Sequence, residues 1–422
     1  MAGRNGKKLL FCTMLFALSL LGAGCAKKAA AQEPDLMKGI ISNQVVGKDV
    51  DRTFLQTSAD FAVRLLQNSM EEEENTLVSP LSVQLALSMT ANGAQNNTKL
   101  QMEEVLSGGI PIEEWNAYWY KCMESLPSNE NSRLHIANSI WLVPDLNVSQ
   151  SFLQVNADFY QAAVRKSELD RKGIEEINGW VKENTEGMIE EILDQLGSNT
   201  VMCLVNAVGF EAKWQNIYIE TDIRPGTFTS QSGVEEKVEM MHSREDKYIE
   251  TQSETGFIKY YEGADYAFVA LLPSQGTDIN DYVGSLTGER FLALAENFED
   301  AAVSVAMPKF KCEFGLNLNN ALCAMGMPDA FDSERADFSK MLEGNGTDKR
   351  DLCVDQVLHK TFIAVDEEGT RAGASTAVLM TEAASSSANN EKYVTLNRPF
   401  VYAIIDTQTK LPLFIGTVLE MK

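Results

Sequence analysis

Between two runs that read as buried strands, "HKTFIAV" and "VTLNRPFVYAII", the chain carries "DEEGTRAGASTAVLMTEAASSSANNEKY", Asp366 to Tyr393, with few bulky apolar residues and a long polar tail. Small and polar residues over so many positions predict a surface loop, and a structureless loop of this length is uncommon unless it is functional or disordered. Yet the stretch alternates. Read with period two from Thr370 to Met380, one face carries Thr370, Ala372, Ala374, Thr376, Val378 and Met380, all small or apolar, and the other carries Arg371, Gly373, Ser375, Ala377 and Leu379. A tolerated insertion is the simpler alternative, but it has no reason to keep that alternation. The segment reads as a loop able to become a strand, and strand addition to a sheet is an attested mode of recognition.

The first two dozen residues do not belong to the fold. Arg4, Lys7 and Lys8 precede the apolar "LLFCTMLFALSLLGAG", which is too short and too small-ended for a stable spanning helix and predicts a secretory signal over residues 1–24. The signal ends in "LLGAGC", which resembles the lipobox of bacterial lipoproteins, where the cysteine, here Cys25, receives lipid and becomes the new N-terminus. Gly22 departs from the leucine commoner three places before that cysteine, and an ordinary secretion signal is the alternative. The protein is therefore expected outside the cell, anchored to the surface membrane through its N-terminal lipid or secreted. After Cys25, "AKKAAAQEPD" begins a small, polar tether expected to run to residue 51.

From residue 52 to 422 no linker-like break, repeat or low-complexity block divides the chain, which predicts one large domain. Its 44% hydrophobic residues suffice for a substantial core, and a formal charge of -24 argues against nucleic acid, polyanions or anionic lipid surfaces as partners. Cys122, Cys203, Cys312, Cys323 and Cys353 are odd in number and loosely spaced, so they predict neither a disulfide framework nor a metal site.

Apolar residues at helical spacing predict a helix over Phe54 to Ser69. In "LVSPLSVQLALSMTANGA", Ser79 reads as an N-cap, Pro80 as the first helical residue and Gly93 as a stop, while Thr98 and Gln101 read as a capping box before a further helix. "LHIANSIWLV", "VMCLVNAVGF", "YAFVALLP", "AAVSVAMPKFK" and "HKTFIAVDE" have the length and branched or aromatic content of strands. Helices early and strands late make the class α+β.

An exported chain of this length could be a hydrolase, but it has neither a G-x-S-x-G elbow nor an H-E-x-x-H pair, and His135, His242 and His359 lie in unrelated contexts. His359 heads an apolar strand, where a histidine hydrogen-bonded in the core is expected before a catalytic base. No enzymatic activity and no cofactor are expected.

"DEEGTRAGASTAV" resembles the hinge of the reactive-centre loop of serpins, the serine protease inhibitor family, where a Glu-Glu-Gly-Thr start and a run of small residues mark inhibitory members. "LVSPLSVQLALSMTANGA", "VNAVGFEAKW", "AMPKFKCEF", "MGMPDAF", "ADFSKM" and "RPFVYAIIDTQTKLPLFIGTV" resemble further family segments, in the family's order, from about Phe54 to Val418. The resemblance implies a serpin fold of three β-sheets with eight or nine helices and an exposed reactive-centre loop. It makes Glu367, Glu368, Gly369, Thr370, Ala372, Ala374 and Thr376 the hinge, Ser79, Ser82, Asn206 and His359 the shutter beneath the central strands, and Trp214 the breach residue above them. Arg371 replaces a residue that is usually acidic and Gly373 one that is usually alanine; on the face and at the propensities involved, neither is expected to stop insertion.

The implied function is inhibition as a suicide substrate, with a monomeric protein as the unit: the protease attacks the loop, forms an acyl-enzyme, and the cut loop inserts into the central sheet. In inhibitory members the scissile bond follows the seventeenth residue from the first hinge glutamate, which places it at Ala383 and Ala384 and favours elastase-like serine proteases, with other serine or cysteine proteases as further targets. The segment from Ala384 to Arg398 is about five residues longer than in familiar members, a cheap change that loosens the register. Glu382 to Ala383 and Met380 to Thr381 therefore stay open as cuts. A serpin fold that binds or chaperones without inhibiting is the alternative; such members often carry charged, bulky or proline residues where this chain has Thr370, Ala372, Ala374 and Thr376.

Overall fold

The structure, a computed structural model, describes residues 35–71, 73–127, 132–197, 199–344, 352–371 and 391–421. The expected signal segment, Cys25, and the loop positions Ala372, Ala374, Thr376, Ala383 and Ala384 lie outside the described residues.

In chain order the elements are α1 (Arg52–Ser69), β1 (Thr76–Val78), α2 (Pro80–Ala91), α3 (Asn96–Ser107), α4 (Ile112–Ser125), β2 (Ser132–Leu142), α5 (Gln150–Tyr160), β3 (Ala163–Lys166), α6 (Arg171–Asn184) and β4 (Met202–Lys213). There follow β5 (Ile223–Thr229), β6 (Glu235–Glu250), β7 (Glu254–Tyr260), β8 (Tyr266–Pro273), α7 (Ile279–Gly284), α8 (Gly288–Glu296), β9 (Glu299–Pro308), β10 (Phe310–Asn317) and α9 (Asn319–Met325). The chain closes with β11 (Gln356–Val365), β12 (Gly369–Arg371), β13 (Lys392–Thr395), β14 (Phe400–Asp406) and β15 (Pro412–Val418). The class is α+β, as read from the sequence.

Local chemistry departs from the sequence reading at two helix starts. Ser79 does occupy the N-cap of α2 with Pro80 behind it, but its side chain makes no capping bond. Thr98 and Gln101 do not form a capping box. The helix begins earlier, at Asn96, and both side chains reach across to a neighbouring segment, accepting the backbone N–H groups of Asp337 and Asp329. Residues 35–51, assigned to the tether by the sequence reading, pack on the body. Leu36 N–H bonds the Val164 carbonyl, Ser42 Oγ the Ala157 carbonyl, and Lys48 N–H the Ala117 carbonyl.

Hydrogen bonding among the described residues joins the strands into two sheets where the resemblance implied three. One has six strands in the order β10-β11-β12-β4-β2-β3, and the other has nine, running β1-β15-β14-β8-β7-β6-β9-β13 with β5 on β6. The reason lies in β6, which is 16 residues long. It bonds β5 along its first half, β9 from Met240 to Tyr248 and β7 at its end, with a register shift between Glu245 and Lys247. A bulge of that kind bends a strand, so one strand serves two layers and links them.

Within the six-stranded sheet, β4 is buried on both faces along most of its length. Met202, Leu204, Val208, Phe210 and Ala212 of β4 point into the main core, while Cys203, Val205 and Ala207 point into a second cluster built on Ile177 and Val181 of α6. That explains why "VMCLVNAVGF" reads as a nearly unbroken apolar run.

Candidate functional site

In the six-stranded sheet, β4 and β11 lie side by side in parallel from Gln356 against Cys203 to Phe362 against Gly209. Above Phe362 they part, and β12 stands between them, antiparallel to both: Val365 pairs Thr370, which pairs Ala212, and Gly369 pairs Lys213. The sheet is closed below and open at its mouth.

A turn from Asp366 to Gly369 makes this possible. Its carboxylate accepts the N–H groups of Glu368 at 2.9 Å and Gly369 at 3.1 Å, and Asp366 N–H bonds the Gly369 carbonyl at 3.0 Å. Gly369 has no room for a side chain, since a Cβ there would sit 2.0 Å from the Ala212 carbonyl oxygen. Trp214 N–H binds the Glu368 carbonyl, Tyr218 N–H that of Glu367, and the Trp214 indole N–H that of Asp366. The Glu367 carboxylate meets Lys309 at 3.0 Å, which also meets Glu239 at 3.1 Å. Thr370, fully buried, shares a 2.6 Å hydrogen bond with the Tyr261 hydroxyl. Tyr261 in turn stacks on Trp214 with ring centres 4.5 Å apart.

Below the mouth, four of the sequence-selected residues converge at the seam. His359 Nε2 accepts the backbone N–H of Ser79 at 3.2 Å, so Nδ1 carries the proton and donates to Asn206 Oδ1. The Asn206 amide donates to Ser82 Oγ and to Asn138 Oδ1, and Asn138 returns a bond to the Ser82 carbonyl at 3.1 Å. Thr361 ties the seam to β1 through the Leu77 carbonyl at 2.8 Å. Burial pushes the pKa of His359 down to about 3, so the ring is neutral and no catalytic base. Asn138, Thr361, Tyr261, Tyr218, Lys309 and Asp366 escaped the sequence reading. A lone polar residue at an inward strand position was the available signal for Asn138 and Thr361; the others have no signal outside the folded chain.

The serpin (serine protease inhibitor) family model matches residues 56–421. This chain belongs to the serpin family. An uncharacterized serpin-like protein of Thermococcus kodakarensis is 31% identical over 371 residues, covering 86% of this chain and 84% of that protein. Serpin B6 of Macaca fascicularis is 31% identical over 379 residues, covering 86% of this chain and 97% of its own. Among solved structures, the thermophilic serpin tengpin in its native state is 45% identical with a TM-score of 0.88, covering 92% of this chain and 100% of that one. Tengpin in its latent state superposes with a TM-score of 0.78 at 42% identity, over 89% of this chain and 100% of that one. This serpin is thus more similar to the native than to the latent form. Serpins are in general protease inhibitors and not enzymes.

The neutral seam histidine gives this serpin a pH dependence of known sign. Its folded pKa lies below the ordinary value near 6.5, so the unfolded chain binds the proton first, and stability present above pH 6.5 is lost as pH falls toward 3. Between pH 6.5 and 5, above most carboxylate titrations, the wild-type unfolding free energy should fall with a limiting slope of roughly 1.4 kcal/mol per pH unit from this group. His359→Gln should start less stable and lose most of that slope in urea titrations at the two pH values; an unchanged slope would assign the dependence elsewhere.

Proposed function

We propose that this serpin inhibits serine proteases as a suicide substrate. The protease serine attacks the Ala383 carbonyl, the Ala384 amine leaves, and the acyl-enzyme is carried along as the freed segment inserts between β4 and β11 before water can release it. The observation that supports this reading is the seam. Continuing the register of β12 downward sets Ala372 between Ile363 and Phe210, Ala374 between Thr361 and Val208, and Thr376 between His359 and Asn206. These rungs exchange one parallel ladder for two antiparallel ones, and small residues fall on the core-facing side where bulk would clash. Segment 370–383 would span about 45 Å extended, enough to cross the sheet.

The uncut loop is tethered at both ends, by β12 at the mouth of one sheet and by β13 on β9 in the other. Cleavage frees the Ala383 end and so speeds insertion. An alanine before the cut suits the shallow pocket of elastase-like proteases, while a trypsin-like pocket would leave its buried carboxylate unpaired. We further propose lipid attachment at Cys25 and an outward-facing location at the cell surface, on the strength of the N-terminal sequence.

Incubating the protein with a panel of serine proteases should give SDS-stable complexes with an elastase-like member and little with trypsin. Thr370→Arg puts an unpaired charge where Thr370 is fully buried, a change costing several kcal/mol, and should convert the inhibitor into a cleaved substrate, while Arg371→Glu should inhibit normally. Equal inhibition by both variants would refute the register; cleavage of wild type without complex would favour a non-inhibitory serpin. Mass spectrometry of the released C-terminal peptide should find it beginning at Ala384; a start at Thr381 or Ala383 would move the bond and leave the insertion mechanism standing. Detergent-phase partitioning tests the anchor: wild type should enter the detergent phase and Cys25→Ala should not, whereas wild type wholly in the medium would remove the lipid assignment.

A further inference from the structure

Lys259 is a cation where the strand pattern asks for an apolar side chain. It lies inside β7 opposite Phe268, and its side chain is 1% exposed. Its ammonium donates to Glu245 Oε1 at 2.8 Å and to the Asn216 carbonyl at 3.2 Å. It also stands 4.5 Å from the Tyr218 ring centre and 5.4 Å from that of Trp214. Glu245 is 8% exposed and sits at the β6 bulge, which is a device for re-aiming a side chain. Its Oε1 also accepts from Ser243 Oγ at 2.6 Å, and the Tyr218 hydroxyl meets that same Ser243 oxygen at 3.2 Å. Burial opposes a charge on Lys259, but the Tyr218 oxygen and the Glu245 carboxylate outweigh it and hold its pKa above the ordinary value.

Burying an ion pair rarely adds stability over apolar packing of the same volume, so the pair calls for another reason. Its contacts supply one. The ammonium grips both rings and one carbonyl of the segment from Trp214 to Tyr218, and that segment grips the carbonyls of Asp366, Glu367 and Glu368. From ammonium to hinge the path consists of two direct steps, with no intervening packing.

We propose that Lys259 is a positioning residue that holds the hinge at the mouth of the sheet: by clamping the Trp214 to Tyr218 segment it keeps the turn from Asp366 to Gly369 in its place in the uncut protein. The proposal rests on the insertion mechanism above, yet concerns the uncut protein. Without the clamp the three hinge carbonyls lose their rigid donors, and the uncut loop slides into the seam on its own.

The test compares Lys259→Met/Glu245→Gln, Glu245→Gln alone and Lys259→Arg with wild type, each incubated uncut at a temperature where wild-type conversion is measurable. Urea-gradient mobility counts molecules that have become resistant to unfolding, and intact mass confirms that no bond was cut. The double variant should convert about tenfold faster or more, equivalent to about 1.4 kcal/mol or more off the barrier. Glu245→Gln should fall between, and Lys259→Arg, which keeps a cation able to reach both oxygens, should stay within a few fold of wild type. Conversion of the double variant at the wild-type rate would overturn the proposal. So would an arginine variant as fast as the double variant, which would mean that packing and not the cation matters. If the double variant does not fold, the single variants decide by the same ordering. Wild type that forms no complex with any protease would sink the inhibitory reading while leaving these rates to be read separately.

Discussion

Strands β4 and β11 run parallel through the middle of a sheet, and the chain leaving β11 turns straight back between them. That pairing governs the rest. The two parallel neighbours share one ladder below, and β12 stands between their upper ends. The turn is made, Gly369 lies flat on β4, and Thr370 is seated on Tyr261. The other end of the same segment is committed to β13 on the second sheet.

The seam between β4 and β11 is not held by apolar interdigitation alone. Here the contact face carries His359, Asn206, Ser82, Asn138 and Thr361, each hydrogen-bonded, with the imidazole neutral. Neutral hydrogen bonds fix register in a low-dielectric interior without the desolvation penalty of a charge. The mouth is built differently, from stacked rings, a buried ion pair and backbone carbonyls, which hold the hinge by geometry.

Much of this was legible in the chain. The buried-strand character of "VMCLVNAVGF" and "HKTFIAV" and Pro80 behind Ser79 are local patterns with local causes, and the structure places strands and a helix there. Other features were misread for equally physical reasons. Thr98 and Gln101 satisfy the spacing of a capping box, but tertiary contacts with Asp329 and Asp337 compete for the same side chains and win. The three sheets that the resemblance implied are joined into two by hydrogen bonding among the described residues, because β6 bonds β5, β9 and β7 in turn.

The amino-acid sequence by itself determined the family and the α+β class, because these depend on residue type and on spacing along one chain. It also marked His359 as a core histidine. Only the tertiary structure decided that Thr370 and Arg371 pair with β11, that Asn138 completes the seam and that Lys259 is a buried cation beneath Trp214 and Tyr218. Each of these depends on which distant residues meet: β2 with β4, β6 with β7, and the end of β4 with the turn after β11. A charge or an amide carries the same letter in the sequence whether it faces water or a ring, and its meaning is set by the partner that folding brings to it.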